Sequence, residues 1–311
     1  MFLIISTNKV LDNLEINFDT NGLWALNITL AIIMFGVALG ITIDDFKRLF
    51  RNPKIVLVGI FSQFILFPLI TFILVSVINP IPSIALGMIM VAACPGGNIS
   101  NFMTQLAGGN AALSVSLTAF ATLVAVMMTP LNLAFWGNLY EPTSQILRTV
   151  ELDPFTLIKL VTLILGIPLL LGMLTRKYYK KAAFKLAKLL KPISIIIFLI
   201  FIVIAFSQNL DIFMEYIHYV FFIVIFHNIM GYFGGFYFAK VMRLSYFDQK
   251  TMALETGIQN SGLGLLLYFN FFNDFGLGGM ALCIAFWGVW DIVSGLALAF
   301  YWSRKTNKIV I

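Results

Sequence analysis

The densest polar chemistry in this chain is the run Leu254-Glu255-Thr256-Gly257-Ile258-Gln259-Asn260-Ser261-Gly262-Leu263-Gly264, set inside an otherwise apolar segment. Backbone polar groups in hydrocarbon must find partners within the protein, so an interrupted helix at membrane depth survives only where it lines a cavity or is covered by other helices. An acid in such a place marks an ion or substrate path. A second break, Cys94-Pro95-Gly96-Gly97-Asn98-Ile99-Ser100-Asn101, interrupts another apolar segment upstream. Two broken helices in corresponding places point to a transporter site near the bilayer midplane.

The chemistry on offer is oxygen coordination of a hard cation. Glu255 brings a carboxylate, which offsets much of the cost of dehydrating an ion such as Na⁺. Carbonyls freed by unwinding add further oxygens, and Gly257, Gly262 and Gly264 ease that unwinding. The competing reading is a carboxylate merely hydrogen-bonded in the interior. Ser114 and Thr118 lie four apart and share a helix face. With Ser100 and Asn101 they can complete an oxygen cage, although such hydroxyls also bond back to their own helix. Gln63, a lone amide in its segment, is a candidate ligand or simple glue between helices. Asp291 is a second intramembrane acid, with a neighbouring Trp or Ser as its alternative partner. His227-Asn228 reads as a satisfied interior pair more readily than as a proton relay, and His218 has no assigned role. Phosphate-cradling loops, zinc spacings and a catalytic triad are absent from the sequence, and Cys94 has no base nearby. Both cysteines, Cys94 and Cys283, read as buried thiols.

The elements that must carry these residues follow from composition. Of 311 residues, 60% are apolar and only 11% charged, with mean hydropathy +0.96. A soluble globule carries about a quarter charged residues, so the expected class is an all-α polytopic membrane protein. At roughly 20 residues per span, nine are expected: 22–43, 55–78, 84–107 (broken), 111–137, 155–175, 192–207, 216–239, 251–272 (broken) and 280–302. Seventeen of the 20 basic residues fall in the loops after the first, fifth and seventh spans and in the C-terminal tail. The positive-inside rule then puts the N-terminus outside and the C-terminus in the cytoplasm. The same confinement explains the net charge of +6 without nucleic acid. The two broken spans run antiparallel under this topology, as inverted repeats require. The expected division is a tail at 1–21, a first repeat at 22–137, a second at 138–303 and a cytoplasmic tail at 304–311.

The two break motifs, together with Gly109-Asn110-Ala111-Ala112-Leu113-Ser114-Val115-Ser116, Phe226-His227-Asn228 and Tyr301-Trp302, resemble the bile acid:sodium symporter family from Leu23 to Trp302. The resemblance implies a panel domain and a core domain, with two helices of the core crossing at their breaks and two Na⁺ ions bound behind the crossing. It implies one sodium site at Ser100, Asn101, Ser114, Thr118 and Glu255. A second would comprise Gln63, Glu255, Thr256, Ile258 and Gln259, with Thr256 and Ile258 acting through backbone oxygens. Substrate would approach Asn98 and Asn260, near helix N-termini that favour an anion. Two departures stand out. Bacterial members commonly have ten spans, whereas nine are expected here, as in the animal members. Several relatives carry a His-Asn pair where this chain has Asp291-Ile292, and an acid facing the substrate crevice would repel an anion unless paired or protonated. Asp291 therefore joins Asn98 and Asn260 as an expected substrate-side residue.

The function expected is Na⁺-coupled import of an organic anion, bile-acid-like or a small carboxylate, by alternating access in the cell (inner) membrane. The partners expected are that anion, sodium and the lipid bilayer, with a monomeric chain as the expectation. One rival is a proton-coupled or uniport carrier on the same scaffold. Another, from a different class, is a membrane-embedded enzyme or an anion receptor.

Overall fold

A computed structural model describes residues 20–42, 51–190 and 210–306, with positions 44, 47, 193, 196 and 200. Most of the expected sixth span and most of the N-terminal tail lie outside the described residues, as do positions 307–311 of the C-terminal tail. The ordered elements are helices: α1 (Thr20–Ala38), α2 (Pro53–Ile78), α3 (Pro82–Ala93), α4 (Ile99–Leu106), α5 (Ala111–Leu139), α6 (Glu141–Thr149), α7 (Pro154–Tyr178), α8 (Leu210–Val241), α9 (Tyr246–Gly257), α10 (Ser261–Phe271) and α11 (Gly278–Thr306). Among the described residues β structure is limited to one bridge, between Gly96 and Gln259.

Five of these helices are long and apolar enough to cross a membrane: α2, α5, α7, and the stretches Met214–Val241 of α8 and Gly278–Arg304 of α11. The chain is a multi-pass membrane protein. Its surface is apolar where a soluble protein's would be polar. Leu57, Phe61, Ile65, Leu69, Ile73 and Val77 form an exposed stripe at helical spacing along α2, which suits lipid and not water. The polar side chains Glu255, Asp291, Gln63, Ser100 and Ser114 are buried instead.

Both expected breaks are present. Pro95 has no N–H to continue α3 and disfavours helical backbone before it, and Cys94 is accordingly extended (φ −73°, ψ 157°). The chain re-enters helix at Ile99. Downstream, α9 stops at Gly257, Ile258 is extended (φ −102°, ψ 116°), and Asn260 caps α10 by accepting from Leu263 N–H. Gly257 lies flat against the Tyr232 ring of α8, where a Cβ would fall 2.2 Å from ring carbon Cδ1. That close approach leaves room for no side chain.

Two features differ from the sequence reading. The loop expected after the fourth span contains α6, which buries Thr143, Ser144 and Leu147 beneath a polar outer face. In addition, α2 widens to a π turn at Ser62–Leu66, just ahead of Pro68. Proline cannot donate its missing N–H and crowds the preceding turn, which a wider turn relieves. Three successive side chains, Ser62, Gln63 and Phe64, are buried there, more than one face of a regular helix would bury in a row.

Candidate functional site

The two breaks meet face to face. Gly97 N–H donates to Ile258 O at 3.0 Å, and Asn260 N–H donates to Pro95 O at 2.9 Å. Each interrupted helix thus satisfies backbone groups of the other, which is what permits irregular chain in a membrane interior. The ends of α3, α4, α9 and α10 converge at this point.

Glu255, in the last turn of α9, is 4% exposed and surrounded by oxygen. Ser100 Oγ from α4 donates to its Oε1 at 2.5 Å, and Ser114 Oγ from α5 approaches the same oxygen at 2.5 Å. Thr118 Oγ1 reaches Oε2 at 2.7 Å. Asn101 Oδ1 joins the group, 2.8 Å from Ser114 Oγ and 3.2 Å from Thr118 Oγ1. Thr118 Oγ1 also lies 2.9 Å from Ser114 O, and Thr104 Oγ1 lies 3.4 Å from Ser114 Oγ.

Counting protons gives this cluster its chemistry. A hydroxyl carries one hydrogen, yet Ser114 faces two oxygens that carry none, Asn101 Oδ1 and Glu255 Oε1, and Thr118 faces three, Asn101 Oδ1, Ser114 O and Glu255 Oε2. The remaining contacts set lone pairs against lone pairs around a carboxylate whose three nearest partners are neutral hydroxyls. A small hard cation supplies the positive charge such a cluster needs, and oxygen is the donor such cations take. The five residues expected to form the first sodium site are therefore adjacent in space, and their donor set fits Na⁺. A divalent or transition metal is a poorer match, since among the described residues no three His, Cys, Asp or Glu side chains come together.

The second expected set is also brought together, with a different hydrogen-bond balance. The π turn directs Gln63 into the crossing, where its Nε2 donates to Cys94 O at 2.9 Å and Gln259 Oε1 at 2.8 Å. Gln259 Nε2 donates to Thr256 O at 2.7 Å. Ile258 O already accepts from Gly97. Thr256 contributes its side chain as well as its carbonyl, with Oγ1 2.8 Å from Ser62 Oγ. Each carbonyl keeps a second lone pair for a cation, but no oxygen here is short of protons as in the Glu255 cluster. Oxygens also crowd Gly96, where an added Cβ would lie 2.9 Å from Glu255 O, 3.3 Å from Glu255 Oε2 and 3.7 Å from Gln63 Oε1.

Asn98 and Asn260 are half-buried at the two helix starts. Asn260 Oδ1 is occupied by Leu263 N–H at 3.1 Å, whereas Asn98 makes no side-chain cap. Asp291 is 2% exposed. Its Oδ2 accepts from Gln259 N–H at 2.9 Å and its Oδ1 from Asn228 Nδ2 at 3.1 Å. An N–H released by the break needs an acceptor, and the α11 carboxylate is that acceptor. His227 stacks on Phe67 and meets Thr71 Oγ1 at 2.6 Å through Nε2, as an interior residue does. Ser62, Thr104 and Asn228 escaped the sequence reading as site residues. The polar doublets Ser62-Gln63 and His227-Asn228 within apolar spans are the only local trace of two of them.

A family model described as the Sodium Bile acid symporter family matches residues 27–216. A Bacillus subtilis (strain 168) protein named uncharacterized sodium-dependent transporter YocS is 36% identical over 283 residues, covering 91% of this chain and 84% of that one. An Arabidopsis thaliana protein named probable sodium/metabolite cotransporter BASS1, chloroplastic, is 30% identical over 285 residues, covering 92% and 68%. The human ileal sodium/bile acid cotransporter is 29% identical over 241 residues, covering 76% and 67%.

Proposed function

The chain belongs to the sodium bile acid symporter family and is a Na⁺-coupled symporter, and on that premise we propose how its residues divide the work. Glu255 and the four oxygen-bearing residues around it hold one Na⁺. Gln63, Gln259 and the carbonyls of Thr256 and Ile258, with Glu255 shared, hold a second. The observation that carries this reading is the excess of oxygen contacts over hydroxyl protons at Ser114 and Thr118.

The cargo is an organic anion, a bile-acid-like amphiphile or a smaller carboxylate. It approaches from the side of Asn98 and Asn260, where two helices begin and their partial positive charge favours it. Sodium draws α4, α5 and α9 together on the far side of the crossing. That order makes the anion side competent, and release of sodium loosens it. The broken pairs α3–α4 and α9–α10 belong to two inverted repeats, 22–137 and 138–303, and form the core that moves against a panel of the remaining spans. The basic loops face the cytoplasm and the N-terminus lies outside, in the cell membrane. Two cations entering with one monoanion make import electrogenic.

A thermal-shift screen of organic anions on purified protein, in NaCl or choline chloride at one pH, tests this function. The expected result is an anion that stabilises only with Na⁺. Equal stabilisation in choline would point instead to a proton-coupled or uniport carrier.

A further inference from the structure

We propose that Asp291 and Asn228 are positioning residues for sodium, clamping the broken turn of α9 from both sides. The proposal rests on the sodium reading above and explains an acid that reading leaves unused.

The break at Gly257-Ile258-Gln259 frees backbone groups at both of its ends, and two neighbouring helices take them up. From α8, Asn228 Nδ2 donates to Gly257 O at 2.8 Å. From α11, Asp291 Oδ2 accepts from Gln259 N–H at 2.9 Å. The two clamps are joined, since Asn228 Nδ2 also donates to Asp291 Oδ1 at 3.1 Å. Tyr232, one turn beyond Asn228, lies against Gly257 and places its hydroxyl 3.0 Å from Ser294 Oγ, a turn beyond Asp291. The non-helical residues thus sit on a polar seat built from α8 and α11, and all of it is buried except the partly covered Ser294.

What the seat holds are the residues that face sodium. Gln259, fixed at its N–H by Asp291, directs its side chain to Gln63 and to Thr256 O. Ile258 O, between the two clamped residues, points to Gly97. Moving either clamp turns these oxygens relative to Glu255, two residues before Gly257. Outer partners of metal ligands act this way, and their loss typically lowers ion affinity about 10- to 100-fold. The carboxylate suits the task because its second oxygen takes the Asn228 amide while the first takes the backbone.

The test is the NaCl concentration giving half-maximal thermal stabilisation, measured on full-length purified protein with choline chloride holding ionic strength constant. Asp291→Ala and Asn228→Ala are expected to raise that midpoint about tenfold or more. Asp291→Asn, which keeps an oxygen for Gln259 N–H, is expected to fall closer to wild type. A merely structural role would lower the melting temperature in choline and leave the sodium midpoint in place. Should Asp291→Ala fail to fold, Asp291→Asn and Asn228→Ala carry the test, and wild-type midpoints in both would overturn the proposal. A wild-type midpoint in Asp291→Ala would also overturn it, as would equal shifts for alanine and asparagine. Failure of the underlying sodium reading looks different: wild type itself would show no stabilisation by NaCl over choline chloride.

Discussion

Gly97 and Ile258, 161 positions apart in sequence, are joined by a backbone hydrogen bond of 3.0 Å from the first break to the second. With the bond from Asn260 N–H to Pro95 O it joins the two breaks, beside which the oxygens of α4 and α5 lie against the carboxylate of α9.

The crossing tolerates no bulk. A Cβ on Gly97 would lie 2.8 Å from Gln259 O, a backbone atom that cannot turn aside. Gly97→Ala is expected to destabilise the protein by about 1–3 kcal/mol and to abolish Na⁺-dependent uptake. Melting temperature and uptake into proteoliposomes check both.

Thr118→Val removes one hydroxyl while keeping the shape of the side chain. It is expected to raise the Na⁺ concentration for half-maximal uptake about tenfold, in the range typical when a metal site loses one supporting group. Thr118→Ser, which restores the oxygen, is expected to recover most of the loss. A sodium titration of initial uptake rates measures both variants.

Gln63 belongs to the second set of oxygens and does not touch the hydroxyl cluster around Glu255. Gln63→Leu is therefore expected to lower the steepness of sodium activation, turning a sigmoidal titration into a hyperbolic one, while the first ion still binds. The Hill coefficient of uptake against NaCl reads this out.

Lys250 is fully buried at the start of α9, with Nζ 2.6 Å from Ala107 O at the end of α4. A cation at a helix C-terminus meets its partial negative charge, so this contact ties the start of α9 to the end of α4. Lys250→Met is expected to cost about 1–3 kcal/mol of stability, seen as a lowered melting temperature in both NaCl and choline chloride.

The parts of this site that are legible in sequence are those with a local cause. Pro95 and the glycines beside it must interrupt a helix whatever surrounds them. Ser114 and Thr118 share a face by spacing alone. The uneven distribution of lysine and arginine outlines the spans. Asp291 shows where such reading ends. Its type suggests an acid facing substrate, but its acceptor role depends on an N–H released 32 residues earlier, in the break between α9 and α10. Lys250 is similar: counted as a loop charge, it folds back under α4. The π turn that aims Gln63 leaves only Pro68 as its trace, and α6, with Glu141, Gln145 and Arg148 on its outer face, has the composition of a loop.

The central claim is that the Glu255 cluster binds the coupling cation. Equilibrium binding of radioactive Na⁺ to purified wild type and Glu255→Gln tests it most directly, because glutamine keeps the size of the side chain while removing its charge and one of its two oxygens. Saturable binding to wild type and its loss in a folded Glu255→Gln protein is the expected result. Undiminished binding in that variant would contradict it.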